Sequence, residues 1–417
     1  MCGSKKSTDV IESHSHRAST PRTPKSPSPQ QQPLPDLSSS SNIFLTDSRS
    51  NNKYWSKSSA SSRSSLASLK DSLPENPHIY NFSDIRSATS NFLSDKFSFS
   101  PSSTSWRCII RNKDVVIFQR KLCRPLELSE LRERLAVICR SHHSSLVKLL
   151  GASISENYIY LVHEYVHGVS LGDCLRNRRN PNFTVLSSWL SRMKIATDIA
   201  HGLDYIHHFS GLNSNFIHNH IKSSSIIITE NLSARVCHFG TSELCGEVVG
   251  EGSSGSFSAR LKLLKRFGSQ VTKLAGTRGY MAPEIQITGV ATQKSDVYAF
   301  GIVTLELLSG EEALKHEFDD DTGIGYRKVS VVAMARRALE EDGGVRKWVD
   351  KRLKDSFPVE VAEKIIQIGL ECVEEDPNER PDMGRVAVSV SRLFLESQKW
   401  AEKMGTPIDF SFSMAPR

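Results

Sequence analysis

The chain has 417 residues, enough for one large core and a second lobe, since single cores stop growing near roughly 250–300 residues. Hydrophobic residues at 38% and charged residues at 24% exclude a fibrous or wholly disordered chain. The formal charge of +7 gathers at the start, where residues 1–70 hold ten Lys/Arg against four Asp/Glu; the near-neutral remainder excludes nucleic acid as a partner of the folded part.

Residues 1–75 are Ser-, Pro- and Gln-rich ("TPRTPKSPSPQQQPLP") and too poor in large apolar groups to offset the entropy of ordering, which predicts a disordered basic tail. No apolar run approaches the ~20 residues of a membrane span, and the start does not resemble a secretory signal. The eight cysteines are scattered, without Cys-x-x-Cys pairs or zinc-spaced clusters, as expected of reduced thiols in a cytosolic compartment. "MCGSKK" has glycine third, which excludes N-myristoylation, but Cys2 beside Lys5 and Lys6 is a candidate for S-acylation. The unmodified thiol is the equal alternative.

Order is expected from residue 76. The runs "WRCIIRN" and "DVVIFQRK" read as strands, "LSELRERLAVICRSHH" as a helix, and "SLVKLLGAS" and "NYIYLVHEYV" as further strands. Beyond about residue 185 the pattern turns helical, with Ile195, Ile199, Leu203 and Ile206 at helical spacing. "SDVYAFGIVTLELLSG" is apolar on nearly every side, as befits a central helix. The expectation is an α+β bilobal architecture at 76–397, with a small β-rich lobe at about 80–166 and a large helical lobe at about 167–397. Residues 398–417 are expected to form a C-terminal tail.

"AGTRGYMAPE" (275–284), "KSDVYAFGIVTLELLSG" (294–310), "EDPNERPDM" (375–383) and "SLVKLLG" (145–151) occur in order at family spacing. They resemble the plant receptor-like protein kinases over roughly residues 80–397. "LSRMKIATDIAHGLDYIHH" with "FIHNHIKSSSIII" is most similar to the lysin-motif branch. The layout, without ectodomain or membrane span, resembles a receptor-like cytoplasmic kinase. The resemblance implies a bilobal protein-kinase fold in which Glu284 pairs with Arg380, Asp296 caps the buried helix and holds the catalytic loop, and His218, Phe239 and Gly240 keep structural roles. It also implies a hinge at Glu164, Tyr165 and Val166.

The same resemblance exposes a degenerate catalytic set. Phosphoryl transfer is mostly positioning and charge neutralisation, by Mg²⁺, a lysine on the phosphates and a carboxylate at the attacking hydroxyl. His238 replaces the Asp of Asp-Phe-Gly and Ser225 the catalytic-loop Asn, although Mg²⁺ wants oxygen ligands. His220 replaces the catalytic Asp; it could move a proton but supplies no negative charge. Phe118 replaces the strand lysine and Arg134 its glutamate partner, while Lys121 points to the other strand face and Glu133 to another helix side. Ser98, Ser100 and Ser103, with Pro101 between, stand at the three glycine positions, and no glycine occurs from 93 to 117. Val116 narrows the adenine side of the pocket. Lys222 is retained.

His218, His220 and His238 invite a metal site, but His218 matches a structural histidine and the others fill vacated positions, so none is expected. The Gly/Ser-rich stretch after "HFG" is expected to be a solvated loop, with an activation-loop-like docking or phosphorylation segment as the alternative, and Thr277 stands at the substrate-facing threonine position. The favoured reading is a pseudokinase acting as scaffold or allosteric partner of active receptor-like kinases or other signalling proteins. It would be cytoplasmic, with candidate peripheral contact at the inner face of the plasma membrane through the tail. No cofactor is expected. One alternative is an atypical serine/threonine kinase using His220 and Lys222, for which ATP and Mg²⁺ would be needed; another is a nucleotide-binding sensor without turnover.

Overall fold

The structure is a computed structural model that describes residues 78–100, 103–211, 215–247, 279–318 and 326–405. The expected tail at 1–75, Cys2, Pro101, Thr277 and most of the stretch after "HFG" lie outside the described residues. The described residues fall in one compact unit, Arg63–Arg417.

The first lobe is built on strands β1 (His78–Ile79), β2 (Ser98–Ser100), β3 (Ser103–Ile110), β4 (Lys113–Lys121), β5 (Leu149–Ser155) and β6 (Tyr158–Glu164). They form one sheet in the order β1-β5-β6-β4-β3-β2, antiparallel except for the β1–β5 pair. Strand alternation divides the side chains of β4 and β6 between two cores. Val115, Ile117, Tyr160 and Val162 face helix α1 (Phe82–Ala88) with Tyr80 and Ile85. On the opposite face, Phe118, Ile159 and Leu161 join the core that continues through helix α2 (Leu128–Ile138) into the second lobe. Cross-strand partners share a face, so the pairs Val116–His163, Phe118–Leu161 and Arg120–Ile159 place Val116, Phe118, Arg120 and His163 together there.

The second lobe is held by α3 (Trp189–Asp204), in which Ile195, Ile199 and Leu203 are buried as their spacing predicts. Three short strands, β7 (Val169–Ser170), β8 (Ile226–Ile228) and β9 (Ala234–Val236), form a separate sheet. A five-residue helix, α4 (Thr241–Cys245), follows Gly240 directly. Helix α5 (Gln293–Ser309) is buried along nearly its whole length. Its N-cap is not Asp296 as expected: Thr292 and Ser295 form a reciprocal capping box, and Asp296 lies a residue further in, its carboxylate turned to the neighbouring loop. Helices α6 (Val359–Cys372) and α7 (Met383–Lys403) close the lobe. The expected boundary at 397 is too early, since α7 runs on to Lys403 with Ala401 buried and Trp400 packed on the core.

Candidate functional site

Three segments meet on the inner face of the sheet: β4, the loop His218–Ser225, and the turn His238–Gly240. Asp296 fixes the loop. Its two carboxylate oxygens accept the backbone N–H groups of His218 (2.7 Å) and Asn219 (2.8 Å), and His207 Nε2 lies 3.0 Å away. Burial would raise the Asp296 carboxyl, but the His207 hydrogen bond and the adjacent imidazoles hold it below the usual range. Asn219 takes a left-handed backbone (φ 63°), which asparagine tolerates. His218 is fully buried; burial pushes its imidazole down to about 4, with Asp296 opposing.

The His238–Gly240 turn is equally constrained. His238 has φ 70°, Phe239 packs against Phe216 with ring centres 5.5 Å apart, and Gly240 has φ 80°. A Cβ at Gly240 would stand 2.6 Å from Ile138 of α2, so glycine is needed both for backbone and for space.

Aromatic rings occupy the centre of the site. Phe118 meets His238 edge to face at 4.7 Å and His163 at 5.5 Å. His238 lies 6.0 Å from His220, which lies 6.5 Å from His218. Burial is the first cause that drives His163 down to about 3 and His238 well below its ordinary value, so these imidazoles stay neutral. His220 Nε2 approaches Glu247 Oε2 at 2.8 Å, at too bent an angle for a full hydrogen bond.

These donors do not fit Mg²⁺. The positions that would hold it present an imidazole at His238 and the buried, unpartnered hydroxyl of Ser225. Among the described residues no three His, Cys, Asp or Glu side chains converge as metal ligands, which also leaves the histidine trio without a ligand geometry.

Arg134 is turned away from Phe118. Its guanidinium binds Glu130 (2.6 Å) and reaches the carbonyl (2.6 Å) and carboxylate (2.9 Å) of Glu243, tying α2 to α4. Glu133 and Lys121 are exposed, as their offsets predict. At the hinge, the Glu164 N–H donates to the Lys148 carbonyl, its carboxylate meets Arg235 at 3.1 Å, and the Tyr165 N–H donates to Asp114. Arg107 stacks on the Tyr165 ring at 3.6 Å, and Val166 is half-buried. Ser98 and Ser100 pair across the β2–β3 hairpin with Ser105 and Ser103.

Sequence reading overlooked Arg120, His163 and Glu247. Arg120 was legible by alternation, since it lies two residues beyond Phe118 on the same strand face. The retained Lys222 is half-buried beside this group, and burial followed by the Arg120 charge lowers its ammonium.

The motifs agree with the comparisons. Residues 114–389 match the protein kinase domain model. LysM domain receptor-like kinase 3 of Arabidopsis thaliana is 31% identical over 332 residues, covering 78% of this chain and 48% of the relative. Chitin elicitor receptor kinase 1 of Arabidopsis thaliana is 34% identical over 267 residues, covering 64% and 39%. The chain thus spans about half the length, or less, of these relatives. The solved pseudokinase domain of BIR2, an immune regulator of the RLK/Pelle family, superposes with a TM-score of 0.56 at 24% identity, over 84% of this chain and all of that one. That likeness supports the two-lobed fold. The chain belongs to the protein kinase family, with plant receptor-like kinases among its relatives.

Proposed function

We propose that this kinase domain is a pseudokinase, a binding module that presents its helical-lobe and loop surfaces to active receptor-like kinases. The supporting observation is the ring of Phe118 against His238: an apolar group and a neutral imidazole stand where a phosphate-binding lysine and a metal-binding carboxylate would be required. Asp296, the Glu284–Arg380 pair and the Phe239 packing hold the surrounding fold intact. No described helix is long and apolar enough to cross a membrane. The receptor-kinase relatives favour work at the plasma membrane, with Cys2 and the basic tail as the attachment.

One observation favours the rival enzyme reading. Glu247 beside His220 resembles the carboxylate–imidazole arrangement of a general base. Full-length protein incubated with labelled ATP and Mg²⁺ or Mn²⁺ separates the two. The pseudokinase reading expects no phosphate on the chain or on a generic protein substrate. Transfer that disappears in His220→Ala would establish the atypical kinase instead.

A further inference from the structure

The helical lobe carries a hollow of about 630 Å³, and none of its lining residues belongs to β4, the loop His218–Ser225 or the turn His238–Gly240. Three segments wall it: residues 176–181 after the short helix Leu171–Leu175, residues 309–315 at and after the end of α5, and residues 347–352. The walls are tied to one another. Arg176 donates to the Glu311 carbonyl (2.9 Å) and pairs with Glu306 (3.0 Å), and Arg352 donates to the Leu175 carbonyl. The Asp350 N–H donates to the Leu308 carbonyl at 3.0 Å. Gly310 turns with φ 74°, and a Cβ there would stand 2.6 Å from Asp350 Oδ2, so glycine lets the end of α5 close on this floor. The hollow is therefore held in shape by its own hydrogen bonds, and its volume is that of a small-molecule site.

Its charge is lopsided, with six Lys/Arg against three Asp/Glu in the lining. Two of the three carboxylates are already engaged. Asp350, only 7% exposed, takes both Arg192 (2.6 Å) and Arg352 (2.7 Å), and Glu311 meets Lys315 at 3.3 Å. Arg178, Lys347 and Lys351 are exposed and have no ion pair among the described residues, and Glu312 is the carboxylate left to oppose them. On a convex face such charges would simply be hydrated. In a concavity they share one space, where the surrounding protein focuses their field on whatever enters. Trp348 and Pro181 add an apolar share to the same walls.

We propose that this hollow binds a small, multiply phosphorylated anion, held by Arg178, Lys347 and Lys351. The guanidinium offers a planar fork that matches phosphate oxygens, and the two ammonium groups add point charges. Cations on two separate walls suit several phosphates on one frame better than a single one. A flat anionic membrane suits the hollow less, because Glu311 and Glu312 line it too and would be pressed against the headgroups. The site goes beyond the pseudokinase reading and does not depend on it. Phosphotransfer from labelled ATP would leave it standing, and absent anion binding would leave the pseudokinase reading standing.

The test titrates the full-length chain with inositol hexakisphosphate and follows binding heat, in EDTA so that no metal bridges the probe to Glu311 or Glu312. The expected result is saturable binding that the double variant Lys347→Gln, Lys351→Gln weakens about tenfold or more and Arg178→Gln weakens about threefold or more. Glu312→Gln should tighten it, because the opposing charge is removed. All four side chains are exposed, so unchanged melting temperatures without the probe are expected. The basic tail attracts the same polyanion, but equally in every variant, and Arg385→Gln removes one exposed charge from α7, outside the hollow, as the measure of a general field effect. No binding, a double variant that binds as wild type does, or Arg385→Gln weakening binding as much as Arg178→Gln would overturn the proposal. A double variant that loses vesicles carrying phosphatidylinositol bisphosphate yet binds the soluble probe as wild type does would assign the hollow to a membrane and overturn it as well.

Discussion

Phe118 is half-buried, and its ring is held edge-on by His163 and His238. A lysine at this position would have to find a carboxylate, and the helix position that would supply one carries Arg134, already bound to Glu130 and Glu243. Phe118→Lys should therefore destabilise by about 3 kcal/mol, whereas Phe118→Leu should cost only about 1 kcal/mol. Urea unfolding of both variants checks this. A Phe118→Lys protein as stable as wild type would contradict it. His163 and His218 give a second residue-level expectation. Burial lowers their folded pKa values to about 3 and about 4, so below pH ~6.5 the unfolded chain takes up protons that the folded chain refuses. Stability should then fall as pH drops from about 6.5 toward 4, by roughly 1 kcal/mol per pH unit for each group, and His163→Leu should flatten the slope. Equal urea midpoints at pH 7.5 and 5.5 would count against this. Motif spacing singles out positions 118, 220, 225 and 238, and the fold brings the rings of Phe118, His238 and His220 together. Alternation puts Arg120 on the face of Phe118, but the burial of its guanidinium depends on tertiary packing.

Helices α2 and α4 meet at two points, the Arg134–Glu243 contact and the crowding of Gly240 under Ile138. Gly240→Ala combines a left-handed backbone with a Cβ only 2.6 Å from Ile138 Cγ2. The expected loss is about 2–3 kcal/mol, part from the backbone and part from the overlap. A double-mutant cycle separates the parts: in an Ile138→Ala background, Gly240→Ala should lose the steric share and retain the backbone share. Equal cost in both backgrounds would show that Ile138 does not press on this turn. At this scale, apolar periodicity made α3 and α5 legible. Their ends were less so, because capping depends on which hydroxyl reaches which amide: Thr292 and Ser295 cap α5, freeing Asp296 for the loop. The position of α4 was also not legible, since five residues carry no helical period.

Across the whole molecule, two buried arginines hold distant segments of the helical lobe. Arg192 donates to the carbonyls of Leu186 and Leu307 and to Asp350. Arg380 forms a two-pronged pair with Glu284, both contacts 2.8 Å, and donates further to the carbonyls of Glu374 and Lys294. The two lobes were legible from the change to a helical pattern beyond about residue 185, and the Glu284–Arg380 pair from motifs 96 residues apart. Arg192 had no such motif, and its role emerges only from the folded contacts. Removing one partner of a buried pair leaves the other charge and its carbonyls without compensation, so Arg380→Ala should cost about 3–5 kcal/mol. Arg380→Lys should recover only part of this, because an ammonium lacks the planar fork that reaches both Glu284 oxygens and the carbonyls of Glu374, Glu375 and Lys294. Burial would raise the Glu284 carboxyl, but Arg380 holds it below its ordinary value, so this contribution is complete at neutral pH and fades as the carboxyl protonates in acid. The deficit of Arg380→Ala against wild type should thus shrink below about pH 4. A deficit that stays constant from pH 7 to pH 4 and below would mean that Arg380 acts through its backbone contacts alone.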